Sequence, residues 1–227
     1  MEERRSPVKE RRELYRRTVE RLAIEEVCGG FRFSRVLDFG CGRGWLTSYL
    51  AGRACQVVGL EVQADALHEA RKNCQGDHRV LLIRYGGGGV PLRAGSVDLL
   101  LAVGVVRSLL DRGPLEEALQ EWHRCLRPGG SLILIETDNR ALRRYFEQGE
   151  LRKRILQAGL EVLRWYPIRK VSWWGGSFIK WGVIPRAVYP FVARWELCLR
   201  RRSLWAWGKR AYLGEIRRPF SPPTGVG

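Results

Sequence analysis

The stretch of sequence that decides the fold reads Val36-Leu37-Asp38-Phe39-Gly40-Cys41-Gly42-Arg43-Gly44, followed by Trp45-Leu46-Thr47. A short apolar run ends at an acidic residue and enters a turn in which every second residue is glycine. Glycine lets the backbone turn sharply and approach a ligand closely, and the N-terminus of a following helix offers unpaired N–H groups. We therefore expect a strand, a ligand-binding turn and a helix in this order.

The spacing of these glycines argues against two common nucleotide sites. The dinucleotide fingerprint requires Gly or Ala at the position that Trp45 occupies, so a pyrophosphate site for NAD or FAD is disfavoured. A P-loop is excluded because no Gly-Lys-Ser or Gly-Lys-Thr follows. The next apolar run ends at Glu61, which places a carboxylate at a strand tip, where it can accept two hydrogen bonds from a ribose diol.

Short apolar runs alternate with helical stretches on either side of this turn. The predicted strands are Arg35–Phe39, Gln56–Leu60, Val80–Arg84, Val97–Ala102 and Ser131–Ile135. The predicted helices are residues 8–27, Leu46–Ala51, Ala64–Asn73 and Leu115–Cys125. Such alternation is typical of βαβ units with right-handed crossovers. It predicts an α/β fold with a mostly parallel sheet, helices on both faces and the ligand at the carboxyl ends of the strands.

Four segments together resemble the class I S-adenosylmethionine-dependent methyltransferases, specifically the type 11-like small-molecule and lipid methyltransferases. They are Val36–Gly44, the strand ending at Glu61 with Gln63–Asn73, Val90–Asp98 and Leu126–Leu132. They occur in the family's order and spacing and cover roughly residues 30–137. The resemblance implies a Rossmann-like, doubly wound sheet of seven strands, with the last strand, Ala211–Ile216, antiparallel. It also implies S-adenosylmethionine as the cofactor.

The resemblance further implies which residues contact the cofactor. They are Asp38, Gly40, Cys41, Gly42, Gly44, Glu61, Val62, Gly86, Gly87, Ala102 and Val103. The turn after the first strand would hold the methionine end, Glu61 the ribose and Val62 the adenine. The family usually carries an Asp at the position of Gly86, where it receives the adenine amino group. Here we expect backbone groups of the run Gly86–Gly89 to take that role.

The residues available for the chemistry are less distinctive. Methyl transfer from a sulfonium is an in-line displacement, in which the protein positions the acceptor, excludes water and in some cases removes a proton. None of the three histidines is placed to serve as a base. We expect Glu136 or Asp138 to act as the base or to orient the acceptor. Tyr15, Arg107 and Ser108 are the expected acceptor contacts, and no metal site is expected.

The positive charge of the chain is concentrated in its last third. The formal net charge is +16, yet residues 140–227 hold 19 basic and 5 acidic side chains, which leaves only +2 for residues 1–139. An insert at residues 166–208 also holds six tryptophans, at positions 173, 174, 181, 195, 205 and 207. These tryptophans could cover the open face of the sheet, contact a lipid acceptor or an anionic membrane, or stack on RNA bases.

The sequence therefore predicts an N-terminal helix or lid at residues 1–30, a cofactor-binding core at 31–165, and a basic insert with the terminal strand at 166–227 in the same domain. We expect methyl transfer to an O or N atom of a small-molecule or lipid-linked acceptor. A catalytically silent cofactor-binding or interaction module and an RNA methyltransferase are the alternatives, with nucleic acid the less favoured partner. Scattered cysteines and the lack of a secretory signal favour the cytoplasm, with peripheral contact at the inner face of the membrane left open. The oligomeric state is not predicted.

Overall fold

A computed structural model describes residues 6–137, 149–170, 173–199 and 210–220. Asp138, Trp205 and Trp207 lie outside these residues. The helices are α1 Pro7–Cys28, α2 Trp45–Ala51, α3 Ala64–Asn73, α4 Val106–Arg112, α5 Leu115–Cys125, α6 Glu150–Gln157, α7 Trp173–Trp181 and α8 Tyr189–Leu199, with a 3-10 turn at Arg186–Val188. The strands are β1 Phe33–Phe39, β2 Ala54–Glu61, β3 Val80–Arg84, β4 Val97–Val103, β5 Leu126–Thr137, β6 Glu161–Lys170 and β7 Arg210–Arg217.

The strands form one seven-stranded sheet in the order β3-β2-β1-β4-β5-β7-β6. The first five strands of this order pair in parallel, and β7 lies antiparallel between β5 and β6. The predicted α/β architecture, including the antiparallel last strand, is confirmed. The direction of winding reverses between β1 and β4, and in such sheets the ligand crevice lies outside the carboxyl ends of the strands at this reversal.

The sheet is apolar on both faces because helices cover both of them. Successive residues of β1 point to opposite faces, so that Val36 packs into one apolar cluster and Leu37 into the other. The first cluster joins α1, α2, α7 and α8 to the sheet, and the second joins α4, α5 and α6. β4 is buried along almost its whole length, as expected for a central parallel strand.

The N-terminal helix α1 lies between the sheet and the C-terminal insert. It contacts both α7 and α8. The rings of Tyr15 and Tyr189 meet edge to face at 5.6 Å, and the Tyr15 hydroxyl donates a hydrogen bond to Glu196 at 2.5 Å. The segment that the sequence suggests as a lid is therefore tied to the insert. The expected start of the insert, at residue 166 of the same domain, lies inside β6.

Trp181 and Trp195 do not cover the sheet. Their side chains are 66% and 62% exposed, while the face of α8 that packs inward carries Tyr189, Ala193 and Leu197. For these two tryptophans, the interpretation that they fill the core is wrong. Among the described residues, no helix has both the length and the apolar character needed to cross a bilayer.

Candidate functional site

The glycine turn after β1 is held in a backbone shape that favours glycine. Gly40, Gly42 and Gly44 have φ angles of 75°, 55° and 74°, in the left-handed region. A Cβ on Gly40 would lie 2.4 Å from Cγ1 of Val105, whereas a Cβ on Gly42 would meet no atom within 4 Å. Gly40 therefore permits the approach of the β4–α4 connection, and Gly42 borders open space.

Glu61 connects the tip of β2 to this turn. One carboxylate oxygen accepts the backbone N–H of Gly42 at 2.8 Å, and the other accepts the N–H groups of Val62 and Gln63 at 2.8 and 2.9 Å. A carboxylate offers about four acceptor positions. These bonds fix the orientation of Glu61 and leave acceptor capacity toward the cavity beside it.

A cavity of about 320 Å³ opens at the carboxyl ends of β1, β2 and β4. Seven of the residues expected to bind the cofactor line this cavity, and so does Ser108, an expected acceptor contact. The seven are Gly40, Gly42, Glu61, Val62, Gly86, Gly87 and Val103. A Cβ added to Gly86 or Gly87 would meet nothing within 4 Å. The glycine run thus leaves open space along the wall. The cavity combines apolar walls with a carboxylate at one side, a combination that fits a purine nucleoside.

A second cavity of about 280 Å³ lies on the other side of the glycine turn. It shares Gly40, Gly42 and Val103 with the first cavity, so the two adjoin at the turn. Its remaining wall is largely charged or polar and consists of Glu13, Arg16, Arg17, Asp38, Cys41, Arg43, Trp45 and Leu46. Together the two cavities form a site with a largely apolar end that carries Glu61 and a charged end.

Asp38 is the buried carboxyl of the charged end. Its side chain accepts a hydrogen bond from the Thr47 hydroxyl at 2.6 Å. The pKa of Asp38 is raised to about 6, chiefly because burial disfavours the charged form. The hydrogen bond from Thr47 lowers this pKa, and the negative charge of Glu61 raises it. A cationic ligand group beside Asp38 would favour the ionised carboxylate and compensate for its burial.

Two arginines of α1 form the wall opposite Asp38. Arg16 makes ion pairs with Glu13 at 2.6 Å and Glu20 at 2.8 Å, which fix its guanidinium. Arg17 contacts Glu13 through Nε at 2.9 Å, and its guanidinium lies over the Trp45 ring, 5.5 Å from the centroid. These two arginines are not among the site residues predicted from the sequence. Acidic and basic residues spaced three and four apart in residues 8–27 carry the signal, since such pairs share a helix face.

An acidic residue also lines the first cavity at a position that the sequence analysis missed. Glu117 of α5 lies on the cavity wall together with Tyr85 and the glycine run. Its neighbour Glu121 accepts the backbone N–H of Val90 at 2.6 Å and anchors the end of that run. α5 therefore brings a carboxylate to the side of the cavity where the expected Asp is replaced by Gly86.

Several residues expected in the site lie outside both cavities. Gly44 packs against α3, where a Cβ would come within 2.9 Å of the Ala70 Cβ, and Ala102 is fully buried within β4. The Tyr15 hydroxyl is directed to Glu196. Arg107 is exposed and lies 3.6 Å from Asp111 on the outer face of α4.

Glu136, one of the two candidate bases, is buried at the end of β5. Its carboxylate accepts the backbone N–H of Val106, the first residue of α4, at 3.0 Å. It lines neither cavity. The geometry supports a role in fixing the start of α4 and the connection after β4. The other candidate, Asp138, lies outside the described residues.

Comparison with known proteins supports the same family. The family model for a methyltransferase domain matches residues 36–130. Malonyl-[acyl-carrier protein] O-methyltransferase of Enterobacter lignolyticus is 40% identical over 104 residues, 44% of this chain and 38% of that protein. Ubiquinone biosynthesis O-methyltransferase of Acinetobacter baylyi is 28% identical over 128 residues, 54% of this chain and 51% of that protein. The chain thus spans about half or less of the length of these relatives.

Solved structures share the fold at low sequence identity. A SAM-dependent methyltransferase from Aquifex aeolicus has a TM-score of 0.62 and 16% identity, over 94% of this chain and 100% of that one. The [4+2]-cyclase SpnF has a TM-score of 0.62 and 22% identity, over 90% and 81%. The fold alone therefore does not fix the reaction. The match of the methyltransferase domain over residues 36–130, together with the fold and the order of the motifs, supports a class I S-adenosylmethionine-dependent methyltransferase, for which S-adenosylmethionine is the implied cofactor.

Proposed function

We propose that the protein transfers a methyl group from S-adenosylmethionine to an oxygen or nitrogen atom of a small-molecule, lipid-linked or carrier-linked acceptor. The observation that carries the proposal is the junction of the two cavities at Gly40, Gly42 and Val103. A nucleoside pocket and a charged pocket on either side of one turn match the two ends of this cofactor. S-adenosylmethionine supplies an electrophilic methyl group on its sulfonium.

The residues of this chain divide the binding of the cofactor between the two cavities. In the first, Glu61 would accept the ribose hydroxyls, and Val62 would contact the adenine ring. In the second, the ionised Asp38 would face the ammonium group of the methionine portion. Arg17 would face its carboxylate, because only Nε of its guanidinium has a hydrogen-bond partner among the described residues.

Glu117 is proposed as the acceptor for the adenine amino group. The family usually places an Asp for this purpose at the position of Gly86, which has no side chain. Glu117 lines the same cavity from α5 and carries a carboxylate, which accepts hydrogen bonds from an amino group. This assignment replaces the expectation that only the backbone of the glycine run contacts the adenine.

An oxygen acceptor that is already anionic is the acceptor class that the site favours. Among the described residues, the carboxyls lining the second cavity are Glu13, which is ion-paired with arginines, and Asp38, which is assigned to the cofactor. A carboxylate acceptor is deprotonated at neutral pH and requires no general base. The relative named as a malonyl-[acyl-carrier protein] O-methyltransferase supports an oxygen acceptor.

Glu136 is proposed as a positioning residue rather than as the base. It holds the N–H of Val106 at the start of α4. The preceding residue, Val105, lines the first cavity and packs against the glycine turn. Loss of the Glu136 carboxylate would therefore loosen a wall of the site and not remove a proton acceptor from it.

The experiment is calorimetry with S-adenosylmethionine, followed by a methyl-transfer screen with carboxylate, phenol and amine acceptors. We expect binding by the wild type, weaker binding by Glu61→Ala, and unchanged binding by the control Glu116→Ala, whose side chain pairs with Arg154 outside the cavities. No binding by the wild type would refute the proposal. Binding with no turnover on any acceptor would favour a silent module, or another chemistry on this fold.

A further inference from the structure

Helix α8 is apolar on two opposite faces. The inner stripe, Tyr189, Ala193 and Leu197, is buried against α1 and the sheet. The outer stripe repeats the same spacing two residues later, with Phe191 and Trp195 exposed by 75% and 62%. A helix that packs on one side ordinarily carries polar residues on the other. The outer stripe of α8 therefore has an apolar character that folding of the described chain does not use.

The exposed apolar surface continues in the residues that lead into α8. Trp181 at the end of α7 is 66% exposed, Val183 is 63% exposed and Val188 is 39% exposed. With Phe191 and Trp195 they form a set of five large exposed side chains within 15 consecutive residues. Scattered exposed apolar residues are common on protein surfaces, but such a concentration in one segment marks an interaction surface.

The charges around these residues identify the kind of partner. Between residues 173 and 199 the basic side chains are Lys180, Arg186 and Arg194, and the one acidic side chain is Glu196. Glu196 accepts the hydroxyl of Tyr15 on α1 and thus points inward. Lys180, Arg186 and Arg194 are exposed, and Arg186 forms an ion pair with Glu10 of α1 at 2.8 Å. A surface of tryptophan, phenylalanine and arginine is complementary to the headgroup level of a bilayer that contains anionic lipid.

We propose that the outer surface of residues 181–195, the membrane face, docks the protein peripherally onto an anionic bilayer. Phe191 and Trp195 would enter the headgroup region, and Arg194 and Lys180 would contact lipid phosphates. α8 spans 11 residues and is too short to cross a bilayer, so the contact lies in the plane of the interface.

The membrane face is mechanically connected to the charged cavity. The inner stripe of α8 packs on α1 through Tyr189 and Tyr15, and α1 supplies Arg16 and Arg17 to the wall of the second cavity. A docked protein would have access to acceptors dissolved in or linked to lipid. The docking itself does not depend on methyl transfer.

The experiment compares cosedimentation with vesicles of phosphatidylglycerol and phosphatidylcholine in equal parts, and with vesicles of phosphatidylcholine alone. The test variant is Phe191→Ser/Trp195→Ser, in which both changed side chains are exposed. The control is Phe31→Ser, which removes an aromatic side chain of 74% exposure from the loop after α1. Calorimetry with S-adenosylmethionine on each variant tests the fold and the cofactor site separately from the membrane face.

We expect the wild type and the control to bind the anionic vesicles, with binding that weakens as salt is raised. The double variant should bind about tenfold more weakly or worse, with unchanged cofactor binding. The proposal is refuted if the wild type does not bind these vesicles at low salt, or if the double variant binds them as well as the wild type. It is also refuted if the double substitution instead converts a self-associating protein to a monomer, or abolishes binding to single-stranded RNA.

Discussion

The carboxylate of Glu61 accepts the backbone N–H of Gly42 at 2.8 Å, which joins the tip of β2 to the turn after β1. Glu61 also accepts the N–H groups of Val62 and Gln63. A single side chain thus holds the two backbone segments that frame the nucleoside end of the site. This structural contribution and the proposed contact with the ribose can be measured separately.

Glu61→Ala should lower the free energy of unfolding of the cofactor-free protein by about 1 kcal/mol, because the partly buried N–H of Gly42 loses its acceptor, while water can replace the carboxylate at the exposed N–H groups of Val62 and Gln63. Chemical denaturation measures this. Glu61→Gln keeps one carbonyl oxygen and should fall between the wild type and the alanine variant. Equal stability of all three proteins would show that water replaces the carboxylate at no cost.

The glycines of the turn provide a matched pair of substitutions. Gly40→Ala adds a Cβ 2.4 Å from Val105, and Gly42→Ala adds one in open space, while both residues have positive φ. We expect each to incur the left-handed backbone cost of about 1 kcal/mol and Gly40→Ala to lose a further 1–3 kcal/mol through the clash. Thermal unfolding measures the difference.

A double substitution checks the origin of that difference. Val105→Ala should restore part of the stability lost in Gly40→Ala, because it removes the clashing methyl group. In Gly42→Ala the main effect should be weaker binding of S-adenosylmethionine, since its Cβ extends into the space beside Glu61. The clash assignment fails if Val105→Ala rescues both glycine variants equally.

Asp38→Asn should stabilise the cofactor-free protein above neutral pH. Burial raises the pKa of Asp38 to about 6, so the folded protein retains this proton at pH values where the unfolded chain has released it. The Asp38 carboxyl therefore makes its full contribution to the free energy of unfolding below about pH 4. This contribution is lost as the pH rises through 6, where the buried carboxyl must ionise. Asparagine has no such loss and should gain up to about 3 kcal/mol at pH 7.5 and little at pH 4.

Unfolding curves at pH 4 and 7.5 measure this gain, and calorimetry should show weaker binding of S-adenosylmethionine by the same variant. Thr47→Val is the companion variant, because it removes the hydroxyl that donates to Asp38 at 2.6 Å and should raise the pKa of Asp38 further. An Asp38→Asn protein that is less stable than the wild type at pH 7.5 would contradict the assignment of a costly buried charge.

The sequence predicts the sheet well because its signals are local. The bounds of Ala64–Asn73, Val80–Arg84 and Leu115–Cys125 are those predicted, since each follows from hydrophobic period and flanking turn residues. The glycine turn and Glu61 are likewise predicted from local signals, because each directly follows or ends a short apolar run. The resemblance to the methyltransferases and the mostly parallel sheet follow from these segments.

What the sequence does not reveal depends on contacts between distant segments. Arg17 and Glu117 lie on helices with ordinary charged surfaces, and only packing shows that they face the cavities. On α8, Phe191 and Trp195 are exposed, whereas Tyr189 and Leu197 are buried. A helix with two apolar stripes has no periodic signal that tells which stripe is buried.

The last prediction concerns the adenine end of the site. Glu117→Ala should weaken binding of S-adenosylmethionine by about five- to tenfold, because one charge-assisted hydrogen bond from the adenine amino group is lost. Glu116→Ala, one residue earlier on the same helix, should leave the affinity unchanged.

The inosine analogue, which has an oxygen in place of that amino group, should bind poorly to the wild type because its oxygen faces a carboxylate. Glu117→Gln, which offers an amide donor, should recover part of that binding. Calorimetry with both ligands on all four proteins decides the assignment, and an analogue that binds the wild type as tightly as S-adenosylmethionine would exclude Glu117 from adenine recognition.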